Sequence, residues 1–143
     1  MSIASAGSFD EITIGAAIGP DEVIVSRDHN RDFARCCGFN STRFIDDEAA
    51  RAEGLPGMIF PGNLSLALMS KFVTDWIGGS GGRLNRIGAT YRAPVQPDRT
   101  LILSGFVTGV DQAARTVEID FWMESDEGDR LVIGTATVSF AAQ

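Results

Sequence analysis

Between Asn63 and Ile77 the chain carries Leu64, Leu66, Ala67, Leu68, Met69, Phe72, Val73, Trp76 and Ile77, interrupted only by Ser65, Ser70, Lys71, Thr74 and Asp75. Read at helical spacing, these residues are apolar around most of the circumference. Such a helix must be wrapped by other structure. Gly78, Gly79, Gly81 and Gly82 end it. The C-terminal part of the chain has the opposite period. Val117, Ile119, Phe121 and Met123 alternate with Thr116, Glu118, Asp120 and Glu124, and Val132, Gly134, Ala136, Val138 and Phe140 repeat the pattern. Period-2 alternation is the mark of a strand with one buried face. Thr100 to Val110 is a third such run, and a strand near Asn85 to Arg92 would complete a meander of four. Turn signals stand at Asp111-Gln112-Ala113 and Asp126-Glu127-Gly128-Asp129. Strands following one buried helix predict an α+β fold: an antiparallel sheet curled around that helix.

The first half is less regular. Residues 9–25 hold short apolar pieces broken by Gly15, Gly19 and Pro20 and read as connecting or edge structure. Ser26 is placed to cap a helix with Asp28 in its first turn and Gly38 at its end. Asp46 is placed to cap a second, with Asp47 and Glu48 following and Gly54 as its stop. Leu55-Pro56-Gly57-Met58-Ile59-Phe60-Pro61-Gly62 is an apolar loop too rich in Gly and Pro for regular structure.

A chain of 143 residues matches one domain, 1–143, able to bury a core without a disulfide or metal staple. With 12 Lys plus Arg against 19 Asp plus Glu, the formal charge of -7 opposes a phosphate backbone, so neither nucleic acid nor an anionic membrane is an expected partner. No run approaches a membrane span, and Met1 to Asp10 lacks the basic and apolar regions of a secretory signal, so a cytoplasmic location is the expectation. Adjacent Cys36 and Cys37 point about 100° apart on a helix, which disfavours a shared metal; they read as reduced, half-buried thiols. No metal and no cofactor is expected. The single histidine, His29, confines imidazole chemistry to one position, in the first turn of a polar-faced helix where surface exposure is expected.

Three stretches resemble the MaoC-like dehydratase, or (R)-specific enoyl-CoA hydratase, family of the hot-dog fold. Phe33-Ala34-Arg35-Cys36-Cys37-Gly38 through Ile45-Asp46-Asp47-Glu48-Ala49-Ala50-Arg51 is similar to the family's helix, hydratase loop and short helix. Leu55 to Leu64 resembles its loop into the central helix. Tyr91-Arg92-Ala93-Pro94-Val95-Gln96-Pro97-Asp98-Arg99-Thr100-Leu101 resembles its turn between the first two long strands. The resemblance implies a hot-dog fold, an acyl-CoA or acyl-carrier thioester as ligand, and a homodimer or a heterodimer with a related hot-dog subunit, since sheet edges tend to pair. It also implies a catalytic Asp and His five residues apart, acting as general acid and base on the acyl chain in a Gly-Asp-x-Asn-Pro-x-His motif. Anchored on Gly38 and on Ile45-Asp46, the matching positions here are Phe39 and Phe44. A benzene ring transfers no proton, so standard hydratase activity is not expected of the chain alone.

What the resemblance retains is a binding site. Asn40, Ile59, Phe60, Pro61, Gly62, Asn63 and Arg92 are its substrate-binding candidates. A free N–H at Gly62, opening the buried helix, would polarise a thioester carbonyl. Pro61 stands where the family commonly has His. Arg83, Arg86, Arg92 and Arg99 face a single acid, Asp98, within the same segment, a local balance of +3 that would suit phosphates and equally suits a solvated strand edge. Asn40, Ser41 and Arg43 remain as polar groups of the altered motif. Asp46, Asp47 and Glu48 are candidate thioesterase bases, although helix capping accounts for them. Asp75 and Trp76, at the far end of the helix, are assigned to packing. Three functions stay open: a non-catalytic acyl-thioester subunit paired with a chain that supplies Asp and His, a thioesterase or unusual acyl dehydratase, or a structural assembly subunit.

Overall fold

A computed structural model describes residues 3–142. After a 3-10 turn at Phe9–Glu11, strand β1 (Ala17–Val23) leads into helix α1 (Arg27–Cys36). A 3-10 turn at Thr42–Phe44 and helix α2 (Asp47–Ala52) precede the long helix α3 (Gly62–Ile77). Four strands complete the chain: β2 (Gly82–Tyr91), β3 (Leu101–Asp111), β4 (Thr116–Ser125) and β5 (Arg130–Phe140). The expected caps form. Ser26 Oγ accepts from His29 N–H at 3.1 Å, and Asp46 Oδ1 accepts from Glu48 N–H at 3.3 Å. Gly38 and Gly54 leave the helices with φ of 75° and 90°, backbone that a side chain resists.

All five strands form one antiparallel sheet in the order β1-β3-β4-β5-β2. Residues 9–25 thus supply an edge strand. The meander of four needs correction. β3, β4 and β5 are hairpin-linked, but β2 lies on the far edge beside β5, with Gly82 opposite Phe140 and Tyr91 opposite Val132. The reason is the connection 92–100, whose Pro94 and Pro97 forbid a tight hairpin. It instead crosses the start of α3, where Val95 C=O accepts from Phe60 N–H at 2.7 Å and Asp98 N–H donates to Val25 C=O at 2.7 Å.

The concave face of the sheet holds α3. Leu64, Met69, Phe72, Val73, Trp76 and Ile77 are buried against Leu103, Val107, Val117, Ile119, Phe121, Met123, Val132 and Val138. Phe121 lies toward Phe72, ring centroids 6.4 Å apart. It fits because Gly134 lacks a side chain: a Cβ there would stand 2.8 Å from Phe121 Cζ. The wrapping of α3 is narrower than its composition suggests. A single sheet has one concave face, so Asn63, Ala67, Lys71, Thr74 and Asp75 are exposed and Leu66 and Leu68 only half-buried. Cys36 and Cys37 are also a correction: both are exposed, because Ala34 is the last position at which α1 meets the core. Among the described residues no helix is long and apolar enough to cross a membrane.

Candidate functional site

A cleft of about 420 Å³ opens at the N-terminal end of α3. Its walls come from three stretches remote in sequence, the second of which runs from loop into helix. The 3-10 turn gives Arg43 and Phe44, the loop after α2 gives Ile59 and Phe60, α3 gives Gly62 and Ser65, and the end of β2 with the following connection gives Tyr91, Arg92 and Val95. These loops have little regular structure to hold them, and side chains from α1 and α2 do so instead.

Asn30 is the centre of that support. It is 0% exposed, and its Nδ2 donates to the carbonyls of both Phe44 and Ile59, each at 2.9 Å. One amide thereby fixes two walls. Next to it on α1, Arg31 Nε donates to Ile45 C=O at 2.8 Å. Asp47 Oδ1 accepts from Met58 N–H at 2.9 Å, while its Oδ2 accepts from Arg27 Nε at 2.7 Å. Arg27 also pairs with Asp98 and so ties α1, α2 and the crossing connection together. The Arg27 guanidinium, followed by the Met58 amide, holds the Asp47 carboxyl below the usual carboxylate range. Asp47 is therefore an ionised latch for the loop, and Asp46 is a helix cap.

Four of the expected binding residues, Ile59, Phe60, Gly62 and Arg92, meet in the cleft. Asn40 and Asn63 are exposed outside the lining, Pro61 is buried behind it, and Leu66 does not reach it. Phe44 lines the cleft without filling it. Phe39, 39% exposed, leans on Phe44 from outside with ring centroids 6.0 Å apart. The arginine cluster does not assemble. Arg83 and Arg92 lie at opposite ends of β2, about 30 Å apart at ordinary strand rise, and Arg99 is engaged by Asp126 and Glu127 at 2.8 and 3.3 Å. Only Arg92 stands at the cleft.

Sequence reasoning passed over Asn30, Ser65 and Tyr91. Asn30 was detectable as the residue one turn before Ala34 on the same face of α1. Tyr91 Oη donates to Gly62 C=O at 2.7 Å, and its ring would lie 3.3 Å from a Cβ at Gly62. Tyr91 is half exposed, and the partial desolvation of its phenol against the cleft pushes it above the ordinary tyrosine value, so it stays neutral. The ionisable side chains lining the cleft are thus Arg43, Tyr91 and Arg92, and Arg43 is paired with Glu53 at 3.0 Å. His29 is exposed on α1. Among the described residues no carboxylate or imidazole lines the cleft. What faces it is an apolar wall and the first turn of a sixteen-residue helix whose N-cap, Pro61, offers no side-chain acceptor. First-turn N–H groups of that kind attract partial negative charge.

The profile described as MaoC like domain matches residues 11–128. Solved structures with the same arrangement include the ChsH1-ChsH2 complex from Mycobacterium tuberculosis, at 20% identity over 90% of this chain and 98% of that one, TM-score 0.79. The R-hydratase PhaJ1 from Pseudomonas aeruginosa matches at 18% identity over 99% and 90%, TM-score 0.85. The C-terminally truncated HadBC complex, a 3R-hydroxyacyl-ACP dehydratase from Mycobacterium tuberculosis, matches at 22% over 87% and 95%, TM-score 0.73. At these identities the likeness is one of fold, the hot-dog arrangement of a sheet around one helix. No curated protein sequence matches the chain.

Proposed function

We propose that this chain, which belongs to the MaoC-like domain family, binds an acyl thioester of coenzyme A or a carrier protein without hydrating it, and serves as the non-catalytic subunit of a heteromeric hydratase. The observation that carries this reading is the composition of the cleft. It is roomy and apolar, it opens on uncapped helix N–H groups, and its lining holds no group able to exchange a proton near neutral pH.

The geometry supports the following division of labour. Ile59, Phe60 and Val95 offer an apolar wall for an acyl chain. The Gly62 N–H polarises the thioester carbonyl with the help of the α3 dipole, a contribution that needs no proton transfer. Arg92, exposed at the rim and without an ion pair among the described residues, meets a phosphate of the carrier. Phe44, on the cleft wall, and Phe39 beside it replace the acid-base pair with a ring contact. The reading takes residues 1–143 as one domain, supported by a core cluster running from Phe9 to Phe140. Two exposed free thiols are in keeping with a reducing cytoplasm. Two of the similar structures, ChsH1-ChsH2 and HadBC, are complexes, which supports a paired role.

The test is direct. The purified chain should bind crotonyl-CoA in a calorimetric titration and show no hydration of it. Turnover by the chain alone would overturn the non-catalytic assignment, and absence of binding would overturn the ligand. Co-expression with a hydratase-like chain encoded nearby should give a mixed dimer on size exclusion. A strictly homomeric product in every mixture would remove the subunit role.

A further inference from the structure

The convex face of the sheet carries a second depression, a trough of about 480 Å³ that has no part in the cleft. A sheet with one buried face should be polar on the other, and most outward positions of β4 obey: Thr116, Glu118, Asp120 and Glu124. Trp122 breaks that row. The register sets it opposite Ser104 and Ile133, and sets Phe106, Asp120, Thr135 and Gly88 in the neighbouring row. Phe106 is 39% exposed and stands edge-on to Trp122, with centroids 6.1 Å apart. The two rings form a ridge along one side of the trough, and Ile133 forms its floor.

Two details are not explained by folding. The Arg130 guanidinium stacks on Trp122 at 4.0 Å from the ring centroid, yet it makes no ion pair or side-chain hydrogen bond among the described residues. Stacking fixes its plane and leaves its N–H edge free, the geometry that receives a carboxylate. Gly88 is the other. It lies inside a strand without positive φ, and a Cβ there would meet only Thr135 Oγ1, at 3.8 Å. Glycine weakens a strand, and where neither packing nor backbone demands it, it marks close approach by something else.

We propose that this trough binds a compact apolar monocarboxylic acid. Its body lies against Phe106, Trp122 and Ile133 in the space left by Gly88, and its carboxylate pairs with Arg130. The volume suits a small organic ligand. Asp120, also in the lining, sits rows away from Arg130 and repels negative charge at its own end, so the single carboxylate lies at the Arg130 end.

An amide-detected NMR titration of the full chain with naphthoate tests this. Saturating shifts are expected at Gly88, Ile133, Thr135 and the Trp122 indole N–H. Naphthamide, neutral and of the same shape, should bind roughly ten- to hundredfold more weakly, the usual worth of hydrogen bonds to a charged group. Gly88→Val should unfold no more easily than the natural chain and lose the shifts, and Arg130→Gln should bind acid and amide alike. Shifts centred on Gly62, Ser65 and Arg92, failure to saturate, or equal affinity for acid and amide would overturn the proposal. So would trough shifts that follow protein concentration without probe, since they would make this face a contact between copies.

Discussion

Replacing Asn30 with Ala removes the one side chain that hydrogen-bonds both the Phe44 and the Ile59 walls of the cleft. Its Nδ2 makes two hydrogen bonds of 2.9 Å, to Phe44 C=O and Ile59 C=O, and the side chain is fully buried. Each neutral hydrogen bond is worth about 1 kcal/mol net, and each carbonyl left unpaired and dry costs about 1–3 kcal/mol. Two offsets reduce the sum. Asn30 Oδ1 is itself buried without a partner, so its removal relieves a cost, and half-buried Phe44 and Ile59 can admit water to their carbonyls. The expected loss is therefore about 2–4 kcal/mol, a large share of the stability of an ordinary domain. In urea, with a slope of about 2 kcal/mol/M for a chain of this size, the midpoint should fall by about 1–2 M without change of slope. Asn30→Leu restores volume but no donor and should lose a similar amount, which separates hydrogen bonding from cavity formation. Asn30→Asp offers only acceptors when ionised and should be worst at neutral pH, recovering as acid protonates it. If Asn30→Ala and Asn30→Leu both stay within about 0.5 kcal/mol of the natural chain, the reasoning fails, because a surface substitution does no more.

Tyr91 is the only tyrosine in the chain, so ultraviolet titration reads it alone; its midpoint should lie above the ordinary value of about 10, and a midpoint at or below that value would refute its partial desolvation at the cleft. Because the fold favours the neutral phenol, its contribution to stability is present below that ordinary value and is lost as pH rises through the raised one. The sign for Asp47 is reversed: its folded value is depressed, so its contribution is present above the unfolded carboxylate value of about 4 and lost as pH falls through the folded one. Asp47→Asn should therefore flatten the acid limb of a stability profile measured by urea midpoints, and an unchanged limb would remove Asp47 from the latch. Gly134→Ala places a methyl 2.8 Å from Phe121 Cζ and 2.9 Å from Gly88 C=O, so it should cost about 1–3 kcal/mol by overpacking, read as a lowered thermal midpoint.

Local rules made most of the fold readable in advance. The α3 stripe, the caps at Ser26 and Asp46 and the alternation of β4 and β5 depend on neighbours a few residues apart. The position of β2 does not. Whether it joins β3 or β5 is decided by where the connection 92–100 must run, and that depends on Phe60 and Val25 far along the chain. The cleft divides in the same way. Ile59, Phe60 and Gly62 were accessible through one contiguous stretch and Arg92 through a second, whereas Tyr91 matters because it reaches the Gly62 carbonyl from twenty-nine residues away. The arginine cluster failed for a related reason. Closeness in sequence becomes distance along an extended strand, while on a helix it would have become proximity.

The aromatic pair at positions 39 and 44 also has a folding side. A carboxylate and an imidazole held over an apolar wall must be desolvated, and they need partners to remain charged or correctly protonated. Phe39 and Phe44 need neither. A tilted pair at 6.0 Å contributes about 0.5–1.5 kcal/mol beyond its burial and packs an exposed loop onto itself. Yet Asn30, a costly buried amide, is still committed to holding the Phe44 carbonyl in place. A loop shaped for stability alone could dispense with that amide by turning the carbonyl to water. A wall held in position beside residues that cannot transfer protons is what the proposed site, one that fits a ligand without transforming it, requires.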